Sequence, residues 1–192
     1  MNEALTALLR VLDDLGIKYF AVGSVASSIH GLPRYTQDVD LVAQLGQEHI
    51  ERIFSRTSAE FYMDCDEARR AVRLGRAFNL IHLATASKID VFPMQQSEFH
   101  FSEMSRSSEE EWVIPGEGTL RLPVASAEDT ILSKLVWYKQ GGQVSDRQWS
   151  DILGVAAGTG RDWDYMRAWA PQLGVADLLE RLFGEASQIQ PD

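Results

Sequence analysis

Apolar and polar positions recur along this chain with two different periods, and each predicts its own kind of element. Leu5, Leu8, Leu9, Leu12 and Leu15 return at three- and four-residue intervals. That spacing places them on one face of a helix, which Gly16 stops. Ile17 to Val22 is a short β-prone apolar run ending at Gly23-Ser24. Val25 to His30 reads as a short helix closed by Gly31-Leu32-Pro33. From Asp38 to Val42 apolar and polar residues alternate singly, as in a half-buried strand. Helical patterns follow over Gln47 to Ser55 and, more weakly, Asp66 to Leu74. Strands are expected over Ala77 to Leu83 and Lys88 to Phe92, joined by a tight polar turn.

Ser97 to Glu111 has no clear period. It is polar, serine-rich and acidic, which predicts a solvated connection, with a mobile loop over a site as the alternative. Val113-Ile114 and Thr119 to Leu122 flank Pro115-Gly116-Glu117-Gly118, a turn cluster that predicts a hairpin. From Ser126 onward the character is helical. Ser126-Ala127-Glu128-Asp129 fits a capping box, and Ile131, Leu132, Leu135 and Val136 continue its apolar face to Gly141-Gly142. Asp146 to Ala157, Trp163 to Trp169 and Ala176 to Phe183 predict three more helices, with a frayed tail after Gly184. The pattern as a whole predicts an α/β (α+β) fold. A small mixed sheet with flanking helices is expected over residues 1–124, followed by a helical region over 125–192 packed on that core.

Composition narrows the range of functions. The 192 residues include 18 basic and 28 acidic side chains, a formal net charge of -10. A polyanion is repelled by such a surface, so extended, non-specific nucleic-acid binding is disfavoured. Cys65 is the only cysteine, which excludes an intrachain disulfide or a cysteine-rich metal site and suits a reducing compartment. No apolar run reaches the roughly 18 residues of a membrane span. Met1-Asn2-Glu3 opens unlike a signal peptide, so a cytoplasmic protein without a membrane partner is expected.

The candidate chemistry lies in Gly23-Ser24 and, after an interval, Asp38-Val39-Asp40. A glycine lets the backbone turn sharply and approach a ligand. Ser24 then opens a short helix, whose free amides and positive dipole end suit a triphosphate. Two residues apart on a strand, Asp38 and Asp40 point to one face. Paired carboxylates repel unless a cation lies between them, and their hard oxygens suit Mg²⁺. Asp90, in Lys88-Ile89-Asp90-Val91-Phe92, offers a third carboxylate from a second strand. A triad of this kind supports a two-metal displacement, with Asp90 as general base or as the metal ligand beside the nucleophile.

The stretch Val22 to Leu41, VGSVASSIHGLPRYTQDVDL, resembles the signature of the polymerase-β-like nucleotidyltransferase superfamily. Within it, the likeness is to minimal bacterial members of the AbiEii-like group, related to abortive-infection toxins. The matching residues are Gly23-Ser24, Arg34 and Thr36 ahead of Asp38 and Asp40, and Asp90. Ala125 to Leu135, ASAEDTILSKL, and Ser145 to Val155, SDRQWSDILGV, are similar to the helices that follow the sheet in that group. The resemblance implies transfer of a nucleoside monophosphate from an NTP, ATP among the candidates, to an acceptor hydroxyl. It implies Mg²⁺ or Mn²⁺ on Asp38, Asp40 and Asp90, with Gly23, Ser24, Arg34 and Lys134 as nucleotide contacts. The acceptor it leaves open as transfer RNA, protein or a small molecule.

Bland roles compete for several of these residues. Arg34 is equally a surface arginine, and Lys134 a snorkelling lysine beside Leu132 and Leu135. Asp146, Arg147 and Asp151 form either a polar cluster or an exposed helical face. The four histidines lack zinc-like spacing, and the tryptophans of the helical half fit an aromatic core. Three functions follow. The first is a nucleotidyltransferase, with the toxin of a toxin–antitoxin pair as one form of it. The second is a non-catalytic nucleotide-binding or regulatory module of the same fold. The third is an antibiotic-modifying nucleotidyltransferase whose homodimer mate completes the pocket.

Overall fold

The leucines at positions 5, 8, 9 and 12 line the buried face of α1 (Asn2–Asp14). A computed structural model describes residues 1–33, 36 and 38–189. It divides into two compact units, Met1–Val25 with Tyr35–Val124, and Ala26–Arg34 with Ala125–Asp192.

The first unit contains a mixed, mostly antiparallel sheet. Its strands are β1 (Tyr19–Val22), β2 (Asp38–Ala43), β3 (Phe61–Tyr62), β4 (Phe78–His82), β5 (Lys88–Pro93), β6 (Ser108–Ile114) and β7 (Gly118–Val124). They lie in the order β3-β4-β5-β2-β1-β7-β6. β1 is buried throughout because it sits between β2 and β7, and Tyr-Phe-Ala-Val suits that place. β2 and β5 run parallel, and both alternate. Val39, Leu41, Ile89 and Val91 are buried on one face, joined there by Leu80 of β4. The other face carries the polar residues. α3 (Gln47–Thr57) and α4 (Cys65–Leu74) pack together, and α4 also lies against β4 and β5.

One sequence expectation needs correcting in this unit, and one strand was missed. The Ser97–Glu111 segment is not a loop or a solvated connection: it holds α5 (Glu98–Arg106) and the first half of β6. Ser97 caps the helix by accepting the His100 N–H at 3.2 Å, while Phe99 and Glu103 turn inward. A nine-residue helix with so few buried positions leaves almost no apolar period to read. The acidic run Glu109–Glu111 is an edge strand, held by full antiparallel register against Arg121–Pro123 of β7. β3 escaped notice altogether, since two residues cannot show a period.

The second unit contains α6 (Ala127–Gln140), α7 (Asp146–Ala156), α8 (Trp163–Trp169) and α9 (Ala176–Ile189). The helix α2 (Gly23–His30) begins in the first unit and ends in the second, where His30 Nε2 lies 2.7 Å from the Ala125 carbonyl. Ser126 caps α6 by accepting the Asp129 N–H at 3.1 Å, and its hydroxyl donates to Asp129 Oδ2 at 2.6 Å. The reciprocal arm of the expected box thus meets the serine side chain rather than its backbone. Asp129 is fully buried and also accepts the Tyr165 hydroxyl at 2.6 Å. Trp149 packs on Tyr138 and under Arg181, and donates its indole N–H to Glu185 at 2.7 Å. α9 continues past Gly184 to Ile189, which corrects the expected fraying: Ala186 is buried and anchors the last turns. Among the described residues, no helix is long and apolar enough to cross a membrane.

Candidate active site

Register decides which side chains share the polar face of the sheet. Asp38 stands opposite Lys88, and Asp40 opposite Asp90, on the adjacent parallel strands β2 and β5. Neighbouring strands lie about 4.8 Å apart, so these four side chains form one continuous polar patch. Asn79 of β4, in register with Asp90, adds an exposed amide at its edge. Asp38 is exposed, whereas Asp40 and Asp90 are half-buried.

Among the described residues, β2 and β5 bring three carboxylates and one ammonium to the patch. Lys88 Nζ donates to Asp90 Oδ2 at 2.7 Å. That hydrogen bond, helped by the charges of Asp90, Asp38 and Asp40, holds the Lys88 ammonium above the ordinary lysine range, with partial burial opposing it. All three acids therefore act electrostatically on one point.

Gly23 shapes the site from the β1 side. It sits at φ +60°, directly after Val22, the residue paired with Asp40. A Cβ at Gly23 would lie 2.2 Å from Asp40 Oδ2 and 3.0 Å from Asp40 Cγ. Only glycine leaves room for that carboxylate beside the first turn of α2. Ser24 follows as the second residue of α2. Thr36 donates its hydroxyl to the Asp38 carbonyl at 2.9 Å and steadies the entry to β2. Arg34 lies outside the described residues.

Beside the patch is a cleft of about 460 Å³, lined by Asp38, Lys88, Thr85 and Ser87 together with Glu3 and Glu117. Its wall is the β4–β5 turn, where Ala86 takes φ +54°. There Thr85 lies 2.9 Å from the buried His82 ring and donates to Ser87 at 2.8 Å.

The remaining candidates have other local partners. Lys134 belongs to the second unit, nearly buried and paired with Asp151 at 3.2 Å. Asp146 and Arg147 are exposed, so of the expected polar cluster only Asp151 turns toward α6. Replacing Lys134 with methionine leaves Asp151 without that cation and is expected to lower stability by about 2 kcal/mol in urea unfolding, somewhat less than for a fully buried pair. The histidines have local duties: His49 accepts the Gly46 N–H at 2.8 Å, and His100 lies 2.5 Å from the Ser97 hydroxyl. Among the described residues, no group of three or more His, Cys, Asp or Glu side chains is arranged to hold a metal ion. Asp90 is turned toward Lys88 instead. Lys88 and Asn79 were not singled out in the sequence. The one available signal was the two-residue spacing of Lys88 and Asp90, which shows the shared face only once the strand is certain.

No family model matches the sequence, and no curated protein matches it. Solved structures do. An antigenic nucleotidyltransferase-like protein from Paracoccidioides brasiliensis superposes with a TM-score of 0.53 at 18% identity, covering 98% of this chain and 88% of that one. The lincosamide antibiotic adenylyltransferase LnuA, solved with lincomycin bound, gives 0.47 at 11% identity, covering 81% of this chain and 96% of that one. The antibiotic-resistance factor ANT(2'')-Ia, in complex with adenylyl-2''-tobramycin, gives 0.46 at 14% identity, covering 98% of each chain. The first of these likenesses shows that the chain has the nucleotidyltransferase fold.

Proposed function

We propose that the protein is a metal-dependent nucleotidyltransferase that moves a nucleoside monophosphate from an NTP to an acceptor hydroxyl. The observation that carries this reading is the polar face itself, with Asp40 in register with Asp90 and its carboxylate set against a glycine that admits no side chain. Three hard carboxylates on one face suit a small divalent cation, and the missing side chain of Gly23 leaves room for the Asp40 carboxylate on that face. Asp38, Asp40 and Asp90 would hold Mg²⁺ or Mn²⁺. Bound there, the ion would offset phosphate charge and favour ionisation of the attacking hydroxyl.

The chain's own residues divide the remaining work. Gly23 and Ser24 present the amides of the first turn of α2 to the phosphates, where the helix dipole favours anions. Asp90 is the proposed acceptor of the proton of the acceptor hydroxyl. Arg34, in the loop ahead of Asp38, is proposed as a further phosphate contact. The strong negative charge favours a small or cationic acceptor over RNA. The motif's resemblance to AbiEii-like proteins supports a toxin with an antitoxin partner as a second reading. The cytoplasm is the proposed setting.

The test is incubation with Mg²⁺ and each of four α-labelled NTPs, together with total bacterial RNA and protein extract. Label entering RNA, protein or a small molecule is expected with wild-type protein and not with the Asp38→Ala/Asp40→Ala double variant. Absence of both transfer and metal-dependent NTP binding would leave a non-catalytic module of the same fold.

A further inference from the structure

The polar face of the sheet continues beyond β5 to the sheet's edge. Ile81 of β4 stands opposite Lys88 and Asn79 opposite Asp90, while Tyr62 of β3 stands opposite Ile81. Side chains alternate across a strand, so Tyr62, Ile81 and Asn79 share the face of Lys88 and Asp90. Burial agrees, because Phe61, Phe78, Leu80 and His82 are buried on the core face. Leu83 follows His82, and its N–H still pairs with the Glu60 carbonyl at 2.8 Å, which carries the alternation one step further. Tyr62 is 58% and Leu83 61% exposed. Among the described residues, neither the Tyr62 hydroxyl nor the Asn79 amide makes a hydrogen bond. One exposed apolar side chain is ordinary. An aromatic and an aliphatic one beside a row of ionised groups form a shelf that the core does not require.

We propose that this shelf of β3 and β4 binds the acceptor, and that the acceptor is a small amine-bearing molecule with an apolar ring face and a hydroxyl. The proposal rests on the nucleotidyltransferase reading above. Two strand spacings put Tyr62 about 10 Å from Lys88 across the sheet, the span of a small ring-bearing molecule. A ring packed on Tyr62 and Leu83 brings its hydroxyl toward Asn79 and Asp90, which stand opposite each other. The Asn79 amide has both donors and an acceptor, so it can orient that hydroxyl. Charge selects the class of molecule. Beside the shelf, β2 and β5 bring three carboxylates against one ammonium, which attracts an amine and repels the phosphates of an RNA acceptor.

The test is transfer from α-labelled NTPs to three separate fractions of a bacterial extract: purified RNA, purified protein, and the small molecules that pass an ultrafilter. Label is expected in the small-molecule fraction. Tyr62→Ala is expected to raise the amount of that fraction needed for half-maximal rate roughly tenfold, the effect of one lost aromatic contact. The rate at saturation and the NTP affinity by calorimetry are expected to stay as in wild type. Tyr62→Phe keeps the ring and is expected to stay within about twofold of wild type. Val113→Ala removes an exposed apolar residue from β6, at the other end of the strand order, and is expected to change nothing. Leu83→Ser is expected to act in the same sense as Tyr62→Ala and replaces it if that variant does not fold. An unchanged half-maximal amount in the shelf variants overturns the proposal, as does an equal rise in Val113→Ala. Label entering RNA or protein but not the small-molecule fraction overturns the acceptor class. Both results leave the nucleotidyltransferase reading in place. No label from wild type in any fraction removes that reading and this proposal with it.

Discussion

Replacing Asp40 with asparagine is expected to reduce nucleotidyl transfer by about a thousandfold or more while leaving the protein folded. Asp40 is the acid most closely built into the fold: it is central on β2, paired with Val22 on one side and with Asp90 on the other. Asparagine has nearly the same shape, so the space beside Gly23 still accommodates it. What is lost is one negative charge and a hard oxygen ligand, the two properties a divalent cation needs. Single-turnover transfer from a labelled NTP, read beside a urea unfolding curve, checks the expectation. A variant that keeps more than a tenth of wild-type activity would show that Asp40 is not a metal ligand. Asp38→Asn is expected to behave similarly but to perturb the fold less, because Asp38 is exposed.

The largest effect on stability is expected at Gly23. Gly23→Ala meets two separate penalties. An alanine at φ +60° costs about 1–2 kcal/mol from backbone sterics alone. Its Cβ would then lie 2.2 Å from Asp40 Oδ2, so the carboxylate must turn away, at about 1–3 kcal/mol for an overpacked contact. The combined loss is about 2–5 kcal/mol. A double-mutant cycle with Asp40→Ala separates the parts. Truncating Asp40 removes its carboxylate from the path of the new methyl and leaves the backbone term. Gly23→Ala should therefore cost clearly less in the Asp40→Ala background. An equal cost in both backgrounds would mean that the close approach of Gly23 and Asp40 does not govern this site. Mn²⁺ affinity is expected to fall in Gly23→Ala alone, since displacing Asp40 misplaces a ligand.

How far the fold was legible depended on how many buried positions each element contributes. α1 has four leucines on one face and declared itself plainly. β5 alternates over six residues and β2 over its first four, so both were placed to within a residue or two. α5 and the acidic half of β6 bury too little to leave a pattern, and they form because other parts of the chain are already in place. β6 needs β7 as its partner, and β3 needs β4. Asp129 read only as part of a capping box, and its burial in a hydrogen-bonded cluster with Ser126 and Tyr165 was not legible, because the Tyr165 contact spans 36 positions along the chain.

The same division runs through the candidate site. Local chemistry determined its parts: a glycine where the backbone must turn with positive φ, two aspartates on one face of β2, and a third acid on another alternating strand. Those properties depend on neighbours one to four residues away, which any single sequence displays. Register is a property of two segments that meet only in the folded sheet, and it alone decided that Asp40 stands opposite Asp90 and Asp38 opposite Lys88. It also decided that the Asp40 carboxylate occupies the space a Gly23 side chain would need. The strand's own spacing pairs Lys88 with Asp90, but hydrogen bonding across the sheet is what brings Asp38 and Asp40 beside that pair.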